Sequence, residues 1–334
     1  MIKKLSFIFI ILFVFSFLLS ANTLSSRHSL SILHYTSTRS RGMMNSTFLI
    51  GNDSSALFVN SASLMGLIRD SININYTLSP DFKNEYIFNA SYSHTGNSYA
   101  IGLGFASEIN KIQSYDALGN KKDNIYNGIY LANIAFAYAI NDKSFIGGNI
   151  KGVLNNSLNK NVFGGFLDVY YMQSIFTPVF KIGAGIRNFG FYNNVFANID
   201  TDIVASVAYA KEDSTVSVSL TYSVGVPSIT HNISLGLEAM IIDFNKLGLF
   251  NKSSSSSSWY DDLPESVLDE PSAMQKRRSA KLPSGVLARL GIGNNGVSLG
   301  LSLYIDLFRL DYAIIFDEFN KNNISHDFGL SFMF

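Results

Sequence analysis

Side chains able to do chemistry are thinly spread along this chain. Cysteine is absent, which rules out disulfides, thiolate metal ligands, a thiol nucleophile and a lipidated cysteine. The five histidines, His28, His34, His94, His231 and His326, follow no metal-ligand spacing. His231 and His326 each sit on the apolar side of an alternating segment, near its end, where an interfacial aromatic is the ordinary reading. Serine is abundant, so a Ser–His pair is the one catalytic arrangement left open. Nothing else points to an enzyme, and no metal or cofactor is expected. Gly102 and Gly104 lie inside an alternating segment and open onto no helix, unlike a nucleotide-binding loop. Six charges remain: Lys181, Arg187, Glu238, Arg289, Arg309 and Asp311 all fall on the small, polar side of alternating segments. Glu238 and Arg289 belong to consecutive segments and are expected at similar heights, able to pair. Buried charge is costly unless paired or wet, which favours a structural ion-pair network. The alternative is that Arg187 or Arg289 receives a ligand carboxylate.

Composition narrows what can position such residues. Of 334 residues, 47% are hydrophobic and 15% charged, against about 25% charged in an ordinary globular chain. Lys+Arg and Asp+Glu are 25 each. That balance lacks the basic surplus a nucleic-acid binder needs to displace counterions from phosphates. Aromatic residues reach 13%, with 27 Phe, 17 Tyr and one Trp, at a mean hydropathy of +0.17. No stretch past residue 20 supplies the ~18 apolar residues of a membrane helix. Such a chain is either a large soluble β protein or a membrane β-barrel. At the amino terminus Lys3 and Lys4 precede an apolar run, Leu5 to Leu19, that ends in Ser20-Ala21. This is the pattern of a secretory signal peptide over residues 1–21, too short for a spanning helix.

The body of the chain alternates. In Val297-Ser298-Leu299-Gly300-Leu301-Ser302-Leu303-Tyr304-Ile305 the odd positions are large and apolar, and the even ones mostly small. Strand side chains alternate between faces, so this segment has one greasy face and one small polar face. The rhythm recurs over 99–105, 215–222, 233–237 and 308–317. Tyr and Phe near the ends of the apolar faces match interfacial girdles. The chain closes on an alternating strand whose Phe328, Leu330, Phe332 and Phe334 read as the signal recognised by the outer-membrane barrel assembly machinery. Together these predict an all-β fold over 71–334, a transmembrane antiparallel β-barrel of about 14 strands, in contact with outer-membrane lipid. Connections after even strands are tight and are assigned to the periplasm. Connections after odd strands, 108–126, 155–160 and 190–200, are longer and are expected outside. One even connection is long: 244–281 carries six consecutive serines, an acidic run and then a basic run. It reads either as a solvated low-complexity insertion or as a periplasmic segment that docks a partner protein through Trp259-Tyr260.

Residues 22–70 do not alternate. They contain Arg39-Ser40-Arg41-Gly42 and, further on, Asp53 with Ala56-Leu57-Phe58, Asn60, Ala62 and Leu64. This resembles the amino-terminal hatch of the long-chain fatty-acid transporter superfamily of outer-membrane proteins, which includes the barrels of type IX secretion. Gly42, Asp53, Asn60 and Ala62 match the hatch motif, while Ser61 and Ser63 replace its Pro and Gly. Leu310-Asp311-Tyr312-Ala313, His326 and the Phe-ending strand resemble the family's last hairpin. The resemblance implies a barrel plugged by its amino-terminal hatch in the bacterial outer membrane. It also implies a hydrophobic small-molecule ligand such as a long-chain fatty acid. Met43, Met44, Phe48, Leu57 and Phe58 would then offer the ligand contacts, or simply pack the plug against the wall. The resemblance equally admits a structural or partner-holding barrel that transports no small molecule. A porin ranks third.

Overall fold

In the computed structural model the described residues are 31–34, 36–51, 53–78, 85–116, 118–157, 160–193, 199–211, 215–245, 247, 284–294, 296–317 and 324–334. The signal peptide expected over 1–21 and nearly all of 244–281 lie outside them.

Fourteen strands run in chain order: β1 Ser71–Leu78, β2 Glu85–Thr95, β3 Tyr99–Tyr115, β4 Lys121–Asn141, β5 Ser144–Ser157, β6 Lys160–Ser174, β7 Phe180–Tyr192, β8 Thr201–Ala210, β9 Val216–Val226, β10 Thr230–Asp243, β11 Gly285–Gly293, β12 Gly296–Ile305, β13 Phe308–Asp317 and β14 Ile324–Met333. Each pairs antiparallel with its sequence neighbour, and β1 pairs with β14 from Ser71↔Met333 to Leu78↔His326, so the sheet closes on itself. Closure leaves no strand edge, which a bilayer requires because it offers backbone groups no other partner.

Alternation decides which side chains face lipid. In β12, Val297, Leu299 and Leu301 are 40–50% exposed, whereas Ser298 and Ser302 are buried. The same split places Ile101, Leu103 and Phe105 of β3 outward, and Phe328 and Leu330 of β14. In water an apolar belt of this extent would aggregate; in a bilayer it is the lipid-facing surface. The molecule is an outer-membrane β-barrel.

One end of the barrel gathers the start of β1, the carboxy terminus and the tight turns β2–β3, β4–β5 and β12–β13. The other end carries the β3–β4, β5–β6 and β7–β8 connections, of which only β7–β8, over 193–200, is long; β5 and β6 pair to Ser157↔Lys160, so the expected longer connection over 155–160 is a tight turn. The sequence expectation of a long loop over 108–126 needs correction. β3 and β4 continue pairing to Tyr115↔Lys121 and form a two-stranded ribbon. The apolar dyad fades there because the ribbon has left the hydrocarbon, yet the ladder persists.

Residues 36–66 fill the lumen. They form one short helix, α1 (Thr38–Arg41), and 3-10 turns at Thr47–Leu49, Ser54–Phe58 and Ser61–Gly66. Nearly every side chain among them is buried.

Candidate functional site

The plug is built from capped turns, which satisfy backbone donors that a helix start leaves open. The Ser37 hydroxyl accepts from the Ser40 amide at the start of α1. The Asp53 carboxylate accepts from the Ser55 amide at 2.7 Å, and the Asn60 side chain accepts from the Ala62 amide at 3.0 Å. Asn60 also donates to the Phe48 carbonyl at 2.9 Å, stitching two turns together. Ser63, standing where the resembling family has Gly, donates its hydroxyl to the Asn60 carbonyl at 2.6 Å and tightens the turn from within.

The plug's apolar side chains are applied to the wall. Met43, Phe48, Leu57 and Phe58 are buried, and Met44 is half-buried. Phe48 meets the Tyr170 ring edge-on at 5.8 Å. Elsewhere several of the wall positions that the plug touches are glycine. A Cβ on Gly104 would stand 2.6 Å from Leu57, and one on Gly102 would stand 3.0 Å from it. Gly291 faces the Met43–Met44 backbone, Gly147 faces the Ala62 backbone, and Gly42 itself approaches Gly300. At Gly147 and Gly291 the opposing atoms are main chain and cannot turn aside, so those two contacts demand glycine.

Charge then pins the plug. Arg39 donates from Nε and Nη2 to both carboxylate oxygens of Glu238, at 2.9 and 2.7 Å, and from Nη1 to the Ile50 carbonyl at 2.8 Å. Arg289 donates to Glu238 at 2.6 Å and to Asp311 at 3.0 Å. Arg309 donates from Nε to Asp311 at 2.7 Å and from Nη2 to Asp53. Three guanidinium groups and three carboxylates thus alternate in one buried chain, Arg39–Glu238–Arg289–Asp311–Arg309–Asp53. Its two ends belong to the plug and its middle to β10, β11 and β13. Burial would raise the Asp53 carboxyl, but the Arg309 guanidinium and the Ser55 hydroxyl hold it below the ordinary carboxylate range. Arg41 adds a separate tie to Asp327 at 2.9 Å.

Of the six wall charges singled out in the sequence, Glu238, Arg289, Arg309 and Asp311 lie in this network. Arg187 lies elsewhere and donates to Asp202 at 3.2 Å. Lys181 stands near the start of β7, half-buried. Arg187 Nε and Arg289 Nη2 are buried without a hydrogen-bond partner among the described residues. A second buried cluster escaped sequence reasoning. Lys151 meets Asp168 at 2.6 Å and donates to Asn188 at 3.0 Å, and the Tyr170 hydroxyl donates to Asp168 at 2.8 Å. Its signal was available, since Lys151 and Asp168 each interrupt the small face of an alternating strand. His231 and His326 form outer-wall hydrogen bonds with Tyr222 and Tyr312 at 2.7 and 2.8 Å. His28 and the side chain of His34 lie outside what is described.

No family model matches the chain, and no curated protein matches it. Among solved structures, the CymD monoaromatic hydrocarbon channel superposes with a TM-score of 0.55 at 12% identity, covering 90% of this chain and 98% of the channel. The Pseudomonas putida toluene transporter TodX gives 0.52 at 9% identity, covering 92% and 98%. A Pseudomonas aeruginosa FadL homologue gives 0.51 at 9%, covering 89% and 97%. The chain has the fold of these FadL-type barrels. In this barrel the 36–66 segment meets the wall through glycine contacts and through the charge chain. Packed protein occupies the lumen at the level where those contacts lie.

Proposed function

We propose that the barrel takes up hydrophobic small molecules across the outer membrane, as a transporter and not as an enzyme. The observation that carries this reading is the plug, seated on apolar and glycine contacts inside a barrel of hydrocarbon-channel fold. A lumen closed in this way disfavours a general porin, which needs continuous water. Apolar solutes gain little from a water-filled bore and much from a path lined by side chains such as Met43, Phe48, Leu57 and Phe58. Movement of the plug would have to separate Arg39 from Glu238 and Asp53 from Arg309, so a shift in transport requires those groups to find other partners or water. Arg187 Nε and Arg289 Nη2 are the donors that would receive the polar end of an amphipathic ligand such as a long-chain fatty acid. Uptake of radiolabelled toluene and of a labelled long-chain fatty acid should be compared between a deletion strain and the complemented strain. Faster uptake of either compound with the protein present supports transport, and identical rates for both end it. The complete burial of Met43, Phe48 and Leu57 against the wall favours one rival, a permanently closed structural barrel, which that second result would select.

A further inference from the structure

The β3–β4 ribbon carries an outward face that the transport reading leaves unused. Across these two strands the outward column runs, in register, Tyr99↔Tyr138, Ile101↔Phe136, Leu103↔Ile134, Phe105↔Ala132, Ser107↔Tyr130, Ile109↔Gly128 and Lys111↔Tyr126. Ile101, Leu103, Phe105, Ile134 and Phe136 are exposed to the bilayer side. No register break separates them from Lys111 and Tyr126, so those two face the same way. Tyr126 is 63% exposed.

Height follows from strand geometry. Lys111 is twelve residues above Tyr99. At ~3.4 Å per residue and a tilt of ~40°, that is about 30 Å along the membrane normal. The apolar band of such a barrel is about 25 Å tall. Lys111 is therefore the first cation of the column just where hydrocarbon ends and headgroups begin, beside a tyrosine suited to that interface.

Among the described residues, pairing of β3 with β2 ends at Glu85↔Asn110 and pairing of β4 with β5 ends at Gly128↔Asn156, while β3 and β4 go on pairing with each other above those levels. There, beyond a register shift between Gln113 and Tyr115, Tyr115 opposes Lys121, and both are exposed. The acid at the tip is engaged locally: Asp116 accepts from the amides of Leu118 and Asn120 at 2.8 and 2.9 Å. Elsewhere at this end of the barrel the outward tyrosines Tyr222 and Tyr312 are capped by histidine.

We propose that the outward face of the ribbon, Lys111 with Tyr126 and Lys121 with Tyr115, binds the phosphorylated sugar headgroup of an outer-leaflet lipid. Lys111 and Tyr126 continue the lipid-facing wall in unbroken register, Lys121 and Tyr115 stand exposed above them, and the lysines complement phosphate charge as point cations. The acyl chains would lie on the Ile101–Phe105 column beneath. This inference is independent of whether the barrel transports anything.

The test uses the purified full-length barrel, mixed with a bisphosphorylated lipid A-type glycolipid or with its dephosphorylated form. Lipid bound per chain is counted by native mass spectrometry. Wild type is expected to bind the phosphorylated form at least tenfold more tightly, with affinity falling as salt rises. Lys111→Gln with Lys121→Gln should abolish that preference while heat-modifiability in detergent stays normal. Lys111→Arg with Lys121→Arg should keep it, which separates charge from folding. Equal binding of the two lipids by wild type overturns the proposal, as does an unchanged preference in the Gln variant. A protein co-purifying in a lysine-dependent way, without any lipid preference, would overturn it in favour of a protein partner.

Discussion

At the scale of single residues, Glu238 is the hinge of the charge chain, since it alone joins Arg39 of the plug to Arg289 of the wall. Removing one member of a buried ion-pair network strands its partners, at a cost of about 3–5 kcal/mol. Glu238→Ala is expected to lower the unfolding free energy of the barrel by that order, read as a lower urea midpoint, and to expose the plug to protease; an unchanged midpoint would show the network to be passive. Asp53 gives a pH signature. Its folded-state pKa lies below the ordinary value of ~3.9. Its contribution is therefore fully present above that value and is lost as pH falls through the lower, folded one. Stability measured from pH 7 to 3 should show an acid limb below about pH 4 that is shallower in Asp53→Asn. An identical limb in both proteins would remove Asp53 from the anchor.

Among the elements, the plug–wall contact depends on absent side chains. Gly147 abuts the Ala62 backbone, whereas Gly152 of the same strand has open space around its Cβ position. Gly147→Val should unseat the plug and sensitise cells to bulky antibiotics with the barrel still folded. Gly152→Val should leave sensitivity at the wild-type level, and equal behaviour of the two variants would contradict the docking described. The strands themselves were legible in the sequence because a period of two, sustained with Tyr or Phe at its ends, has no helical competitor in a chain without long apolar runs. Their number and closure followed. The upper part of β3 and β4 was not legible, because outside the bilayer no apolar face marks a strand. The ends of the charge chain were also hidden. Arg39 and Asp53 sit in aperiodic sequence, where nothing indicates which wall residue each will meet across some two hundred positions.

For the whole molecule, orientation is open to a direct measurement, because a chain without cysteine accepts single labelling sites cleanly. Leu118, at the ribbon tip, and Phe176, in the β6–β7 turn at the opposite end, are 87% and 94% exposed. Leu118→Cys should react with a membrane-impermeant maleimide on intact cells, and Phe176→Cys only after the outer membrane is permeabilised. The reverse pattern would invert the topology. The β1–β14 seam bears on how such a molecule is made. Its last ties are Ser71↔Met333 and the Phe334 amide donating to the Asp70 carbonyl at 3.0 Å, so the final residue clasps the one that leaves the plug. Closure of the ring and the exit of the chain from the plug thus share one set of backbone bonds at the seam.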